Sequence, residues 1–153
     1  MARVSALGVQ VDLPTGWDAR IYRRQATGAA TTHAILHAAS FPLPLERGDY
    51  GSGAVEIMGA DDVLVLLLEQ HPGSAGTPLY AAEGVPGPFA AGDFSRDGLQ
   101  RALPGQAGAQ RFFSVNGRAW TLYVVLGSYA GRDRLVPIVN DVVATLGVGR
   151  LGG

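Results

Sequence analysis

His33 and His37 stand four residues apart in a run rich in Thr, Ala, Ile and Leu. On a strand or a helix, that spacing puts both imidazoles on one face. With Glu69 or His71 brought close, they would form a nitrogen and oxygen ligand set for zinc or a similar ion. The plainer reading is two partly exposed strand histidines, so neither a metal nor a cofactor is expected. Asp61-Asp62 and Glu69 offer paired carboxylates for proton transfer, yet Asp-Asp after Gly59-Ala60 is first of all turn chemistry. Ser52, His71 and Asp93 supply the three residue types of a nucleophilic triad. Gly51-Ser52-Gly53, however, lacks the Gly-x-Ser-x-Gly spacing of a nucleophile elbow. It also fails as a dinucleotide fingerprint, because Glu56 stands where the third glycine belongs. Arg47-Gly48-Asp49 spells an adhesion tripeptide and is taken as coincidence.

Missing residue types narrow the chemistry further. The chain has no cysteine, which removes disulfides, thiolate zinc sites, iron–sulfur clusters and cysteine nucleophiles together. All 12 basic residues are arginine, so Schiff-base chemistry and lysine-based phosphate loops are excluded. Abundant Ala, Gly and Arg match the codon usage of a GC-rich bacterial genome. No catalytic residue is nominated, and the chain is expected not to be an enzyme. Arg20, Arg23 and Arg24 form a small basic cluster, either a solvated face or a contact for an acidic partner.

A length of 153 residues fits one domain, placed at 1–148, with a frayed tail at 149–153. Hydrophobic residues make up 47% and charged residues 16%, a globular composition that excludes the disordered class. The net charge of −1 gives no basic excess to displace counterions from phosphates, so no nucleic-acid partner is expected. The longest apolar run, Val63 to Leu68, is too short to span a bilayer. No basic amphipathic stretch suggests membrane association. The opening Met1-Ala-Arg-Val-Ser-Ala-Leu lacks the pattern of a signal peptide, so a cytoplasmic protein is expected.

Any function must therefore be positioned by ordinary elements. Val9, Val11 and Leu13 alternate with polar residues and predict a strand. Pro14-Thr15-Gly16 predicts a turn into a second strand, from Trp17 through Tyr22, paired to the first. Thr31 to Phe41 predicts a third strand, stopped by Pro42 and Pro44. Ala54 to Met58 is either strand or helical turn. Val63 to Glu69, apolar throughout, predicts a central strand. The Pro- and Gly-rich segment from His71 to Asp93 predicts a long loop that is either functional or folded over the core. Ser95 predicts the cap of a short helix carrying Leu99 and Leu103. Asn116-Gly117 between apolar runs is the strongest local signal, a hairpin whose register sets Phe113 opposite Trp120. Leu135, Ile138, Val139, Val142, Val143 and Leu146 predict a closing helix, with Pro137 in its first turn and Gly147 as its stop. The expected class is α+β: an antiparallel sheet of hairpins, a long C-terminal helix packed on it, and one or more short helices.

Asp12-Leu13-Pro14-Thr15-Gly16-Trp17, the strand Leu122–Ser128 and the helix Leu135–Leu146 follow one another in an order that resembles the PsbP-like α/β/α sandwich superfamily. That group includes the photosystem II extrinsic subunit PsbP, the Ran-binding import factor Mog and actinobacterial LpqN-type proteins. The resemblance implies a non-enzymatic scaffold that binds proteins or small ligands, and it carries no catalytic residue across. The chain departs from the LpqN type in having neither the lipoprotein signal nor its cysteine.

The expected function is accordingly a protein-interaction or scaffold module. Its partner would meet the loops Phe41–Gly53 and His71–Phe94, with Tyr50, Leu79, Tyr80 and Phe89 as exposed anchors and Arg20 and Arg23 as charged contacts. Two alternatives stand beside it: a small lipophilic ligand held between sheet and loop, and self-association through a sheet edge or the arginine-bearing face.

Overall fold

The Asn116-Gly117 turn organises the larger of two sheets. Both residues take positive φ, 52° and 78°, as a tight hairpin turn requires. They join β6 (Ala107–Val115) to β7 (Arg118–Leu126), and Phe113 pairs with Trp120. A computed structural model describes residues 1–24, 33–45, 53–97 and 103–149 of the chain. In it β7 pairs next with β5 (Val63–Glu69), β5 with β4 (His33–Ala39), and β4 with β3 (Asp18–Arg24), every pairing antiparallel. The order β3-β4-β5-β7-β6 places the apolar run Val63–Glu69 at the centre, as expected. Its continuous hydrophobicity has a simple cause. Val63, Val65 and Leu67 enter one core, while Leu64, Leu66 and Leu68 enter a second core on the opposite face.

The first core is roofed by α2 (Arg132–Val143) and by a three-stranded sheet of order β1-β2-β8, formed by Ala2–Ala6, Val9–Leu13 and Gly147–Val148. Leu135, Val139, Val142 and Val143 of the helix meet Val9, Val11 and Leu13 of β2 there. The second core is closed by the single turn α1 (Ala54–Ile57), through Ala54 and Val55, with Leu43 and Met58 packed beside it. The class is α+β, as the sequence predicts: antiparallel sheets, a C-terminal helix and short helices. None of the helices among the described residues is long and apolar enough to cross a membrane.

Several local expectations change. The strand after Trp17 does not pair with Val9–Leu13. The Pro14-Thr15-Gly16 turn instead hands the chain from the small sheet to the large one, where β3 pairs with β4. The partner of β2 is β1, an element the sequence conceals. Its turn is Leu7-Gly8, with φ of 53° and 79°, and leucine seldom adopts a left-handed conformation. Helix α2 starts at Arg132, so Pro137 lies inside it and not in its first turn. Gly147 does not cap the helix, which ends at Val143; it opens β8 against Gln10. Ser95 pairs with Gly108, and Leu99 with most of the expected short helix lies outside the described residues. Ala54–Met58 resolves to the helical alternative. Gly149, assigned to a loose tail, is held by a backbone hydrogen bond to Gly8.

The segment after β5 is neither free nor unstructured. It forms three 3-10 turns, Pro72–Gly76, Pro78–Tyr80 and Ala91–Asp93. Between them Gly84 donates to the Ser114 carbonyl, and Ser114 donates to Ala82. Ser95 and Gly108 exchange both backbone hydrogen bonds. The outer edge of β6 is thus covered at both ends, which blunts it as a template for pairing with another chain.

One contact sets how closely the turn at 59–62 seats against the end of β7. A Cβ placed on Gly127 would lie 1.9 Å from the Gly59 carbonyl oxygen. Gly127→Ala therefore requires backbone movement, and about 3 kcal/mol of stability should be lost in urea unfolding. Gly87→Ala, which meets nothing within 4 Å, should change stability by no more than about 0.5 kcal/mol. Equal midpoints for the two variants would show the 59–127 contact to be loose.

Candidate functional site

The antiparallel register gives the five-stranded sheet two ends with different chemistry. At one end, the finish of β5 and the start of β7 bring Glu69 and Arg118 together. Arg118 Nε donates to Glu69 Oε2 at 2.8 Å and a terminal nitrogen to Oε1 at 3.0 Å, a two-pronged pair buried on both sides. The same guanidinium donates to the carbonyls of Leu7 (3.2 Å) and Gly149 (3.0 Å), and it lies 4.6 Å from the centre of the Trp120 ring. Glu69 also accepts from the Ala34 amide at 3.0 Å. Asn116, in the hairpin turn, donates to the Val148 carbonyl. Glu69, a candidate acid or base, instead ties β5 to β7 through Arg118 and to β4 through the Ala34 amide.

The remaining reactive residue types are spent in the same manner. His37 is fully buried, not partly exposed as expected. Its Nδ1 accepts from Arg20 Nε at 3.0 Å, and its Nε2 lies 3.4 Å from the Tyr22 hydroxyl. An arginine only donates, so the proton of the neutral ring sits on Nε2. His33 stands edge-on to His71, ring centres 6.3 Å apart, and not beside His37 as part of a ligand set. Among the described residues, no three His, Cys, Asp or Glu side chains gather closely enough to hold a metal ion. Asp62 accepts from Ser40 and from the Gly59 amide, which fixes its turn. Asp61 pairs with Arg134 at 2.6 Å. Of the nominal triad, His71 accepts from the Gly73 amide and Asp93 pairs with Arg111. Ser52 lies outside the described residues, as do Arg47-Gly48-Asp49.

The expected loop anchors separate into different roles. Tyr80 and Phe89, expected to be exposed, are buried. Tyr80 turns inward because Phe112 and Thr121 offer it an edge-on ring at 5.8 Å and a hydroxyl at 3.4 Å. Phe89 enters the first core beside Phe94, and its backbone exchanges two hydrogen bonds with the Asn140 side chain, at 2.8 and 2.9 Å. Proline and glycine, which made the segment look like a free loop, instead let it fold flat onto the sheet. Leu79 does remain exposed, at 58%. Arg23 is exposed, whereas Arg20 is committed to His37 and to the Pro44 carbonyl. Tyr50 lies outside the described residues.

The opposite end of the sheet carries a grouping the sequence does not announce. Asp18, Ala39, Leu64, Val125 and Gly108 form the transverse row there. The segments leaving that row expose Leu45 at 99%, Ile57 at 57% and Leu103 at 37%. Buried Gln106 links the segments of Leu103 and Ile57, accepting from the Leu103 amide and donating to the Val55 carbonyl of α1. Tyr129 lies at the same end of the sheet, where its amide donates to Gly105 at 2.7 Å. Two guanidiniums lie against the Tyr129 ring, Arg132 at 3.8 Å and Arg96 at 4.3 Å from its centre. A shallow depression of about 360 Å³ also lies on the small sheet, lined by Ser5, Gln10, Gly147 and Gly149 among others. The apolar grouping was illegible because its members are far apart in sequence and none stands in a motif.

Removing one partner of the buried pair leaves a charge without compensation, so Glu69→Gln should cost about 3–5 kcal/mol in urea unfolding. The double change Glu69→Leu with Arg118→Met should recover much of that loss. A single-variant loss below about 1 kcal/mol would show the pair to be dispensable. Tyr80→Ser and Phe89→Ser should each lose about 3–5 kcal/mol as core truncations, while Leu79→Ser stays within about 0.5 kcal/mol. A neutral result for Tyr80→Ser and Phe89→Ser would return both to the surface.

No protein-family model matches this chain, and no curated protein or solved structure matches it.

Proposed function

We propose that this chain is a non-enzymatic interaction module that meets a protein partner at the α1 end of its five-stranded sheet. The observation that carries the proposal is the grouping of Leu45, Ile57 and Leu103 on segments leaving one end of one sheet. Single exposed leucines are ordinary on a protein surface; several at one place mark an interaction surface. A tyrosine and two arginines stand at the same end of the sheet, residue types that dominate binding energy at interfaces. The reading also accommodates how the polar groups are used. Glu69, Arg118, His37 and Asp62 are all engaged in holding elements together. The PsbP-like resemblance and a cytoplasmic location belong to this proposal as well, since a scaffold of that kind works through surface contacts.

Selecting a displayed random-peptide library on the folded domain tests the reading, with the double variant Ile57→Ser, Leu103→Ser as the counter-target. Both side chains are exposed, so the variant should unfold within about 0.5 kcal/mol of the parent. Enriched peptides should bind the parent and lose about tenfold or more of their affinity on the variant. Failure to enrich any peptide, or equal binding to both proteins, would remove this surface as the docking site.

A further inference from the structure

We infer that this end of the sheet recognises an acidic segment of a partner chain, one that sets a carboxylate on the Arg96–Tyr129–Arg132 stack and apolar side chains on Ile57 and Leu103. The inference rests on the interaction-module reading and adds the chemistry of the partner. Its basis is the stack itself. Arg132 and Arg96 approach the ring of one tyrosine at 3.8 and 4.3 Å, so their charges lie within roughly a Debye length of each other. The ring attracts each guanidinium through its π face. It does not neutralise them, and the two like charges repel. Arg132 donates only to the Phe94 carbonyl, and Arg96 makes no hydrogen bond or ion pair among the described residues. Neither arginine pairs with a carboxylate among the described residues. Asp61 is taken by Arg134, while Asp97 and Asp133, next in sequence to the two arginines, form no ion pair with either. A carboxylate from outside would relieve the repulsion and accept two parallel hydrogen bonds from a planar fork. Stacking also holds the fork in orientation before the partner arrives, which lowers the entropy lost on binding. The apolar side chains lie at the same end of the sheet as the stack, because Tyr129 is bonded to Gly105 and the neighbouring Gln106 links Leu103 to α1. A partner with both features therefore gains at both places.

The test uses three fluorescein-labelled peptides of equal length and fluorescence anisotropy with the full chain. One alternates Leu and Glu, one Leu and Gln, one Leu and Lys. The Leu–Glu peptide should bind about tenfold or more tighter than the Leu–Gln peptide, and added salt should narrow the gap. Arg96→Gln and Arg132→Gln should each bring Leu–Glu binding down to the Leu–Gln level. Arg96 is exposed, so its variant separates lost binding from lost folding. Equal binding of the Leu–Glu and Leu–Gln peptides, or preference for the Leu–Lys peptide, would overturn the acidic partner. In either case, weaker binding of the preferred peptide by Ile57→Ser, Leu103→Ser keeps the interaction-module reading standing. Binding that responds to the arginine variants alone would remove that reading and with it the combined surface. No binding by any peptide overturns both.

Discussion

One guanidinium holds the architecture together. Arg118 reaches Glu69 on β5, Leu7 in the turn between β1 and β2, and Gly149 beyond β8. Through Glu69 it also reaches the amide of Ala34 on β4. The two sheets are separate hydrogen-bonded units, and this side chain bridges them with directional bonds. A lysine would not serve, because it lacks the planar fork that meets a carboxylate with two donors and still has a third direction free. The buried pair is weak evidence for stability as such. What the bonds do fix is geometry: they hold the Leu7 turn and the Gly149 segment over the start of β7.

That constraint also accounts for a conformation that would otherwise be unfavourable. Leu7 holds a left-handed backbone, which costs a non-glycine residue about 1–3 kcal/mol unless its surroundings over-determine it. Here its carbonyl is fixed by Arg118, and the next residue's carbonyl is fixed by Gly149. The strain lies at the end rich in engaged polar groups. The other end is different in kind, with apolar side chains in solvent and two arginines resting on a tyrosine. The sheet therefore separates an end cross-linked by polar bonds from an end that carries exposed apolar side chains.

What was legible in the sequence follows from the range of each signal. The Asn116-Gly117 hairpin, the central run Val63–Glu69 and the closing helix depend on neighbours along the chain, and their periodicity declares them. The partner of β2 does not, because a Pro-Thr-Gly turn bends the chain the same way whether the next strand stays in the sheet or leaves it. Leu7-Gly8 was hidden because leucine is a poor turn residue, used here only because distant groups clamp it. Tyr80 and Phe89 were read as surface from their Pro- and Gly-rich setting. Their burial depends on Phe112, Thr121 and Asn140, which the local sequence cannot place. The exposed grouping at the α1 end was beyond reach for the same reason, since it is made by strand register.

The bond from Gly149 back to Gly8 imposes an order in time. During synthesis from the N-terminus, the first hairpin emerges long before Arg118, α2 or β8 exist. Val9, Val11 and Leu13 then have nothing to cover them, although they end fully enclosed. The nascent chain carries that apolar strand without its cover while the entire large sheet is made, and β8 can pair with β2 only afterwards. Such long-range closure belongs to slowly folding topologies, in which apolar surface stays exposed until its distant partner is made.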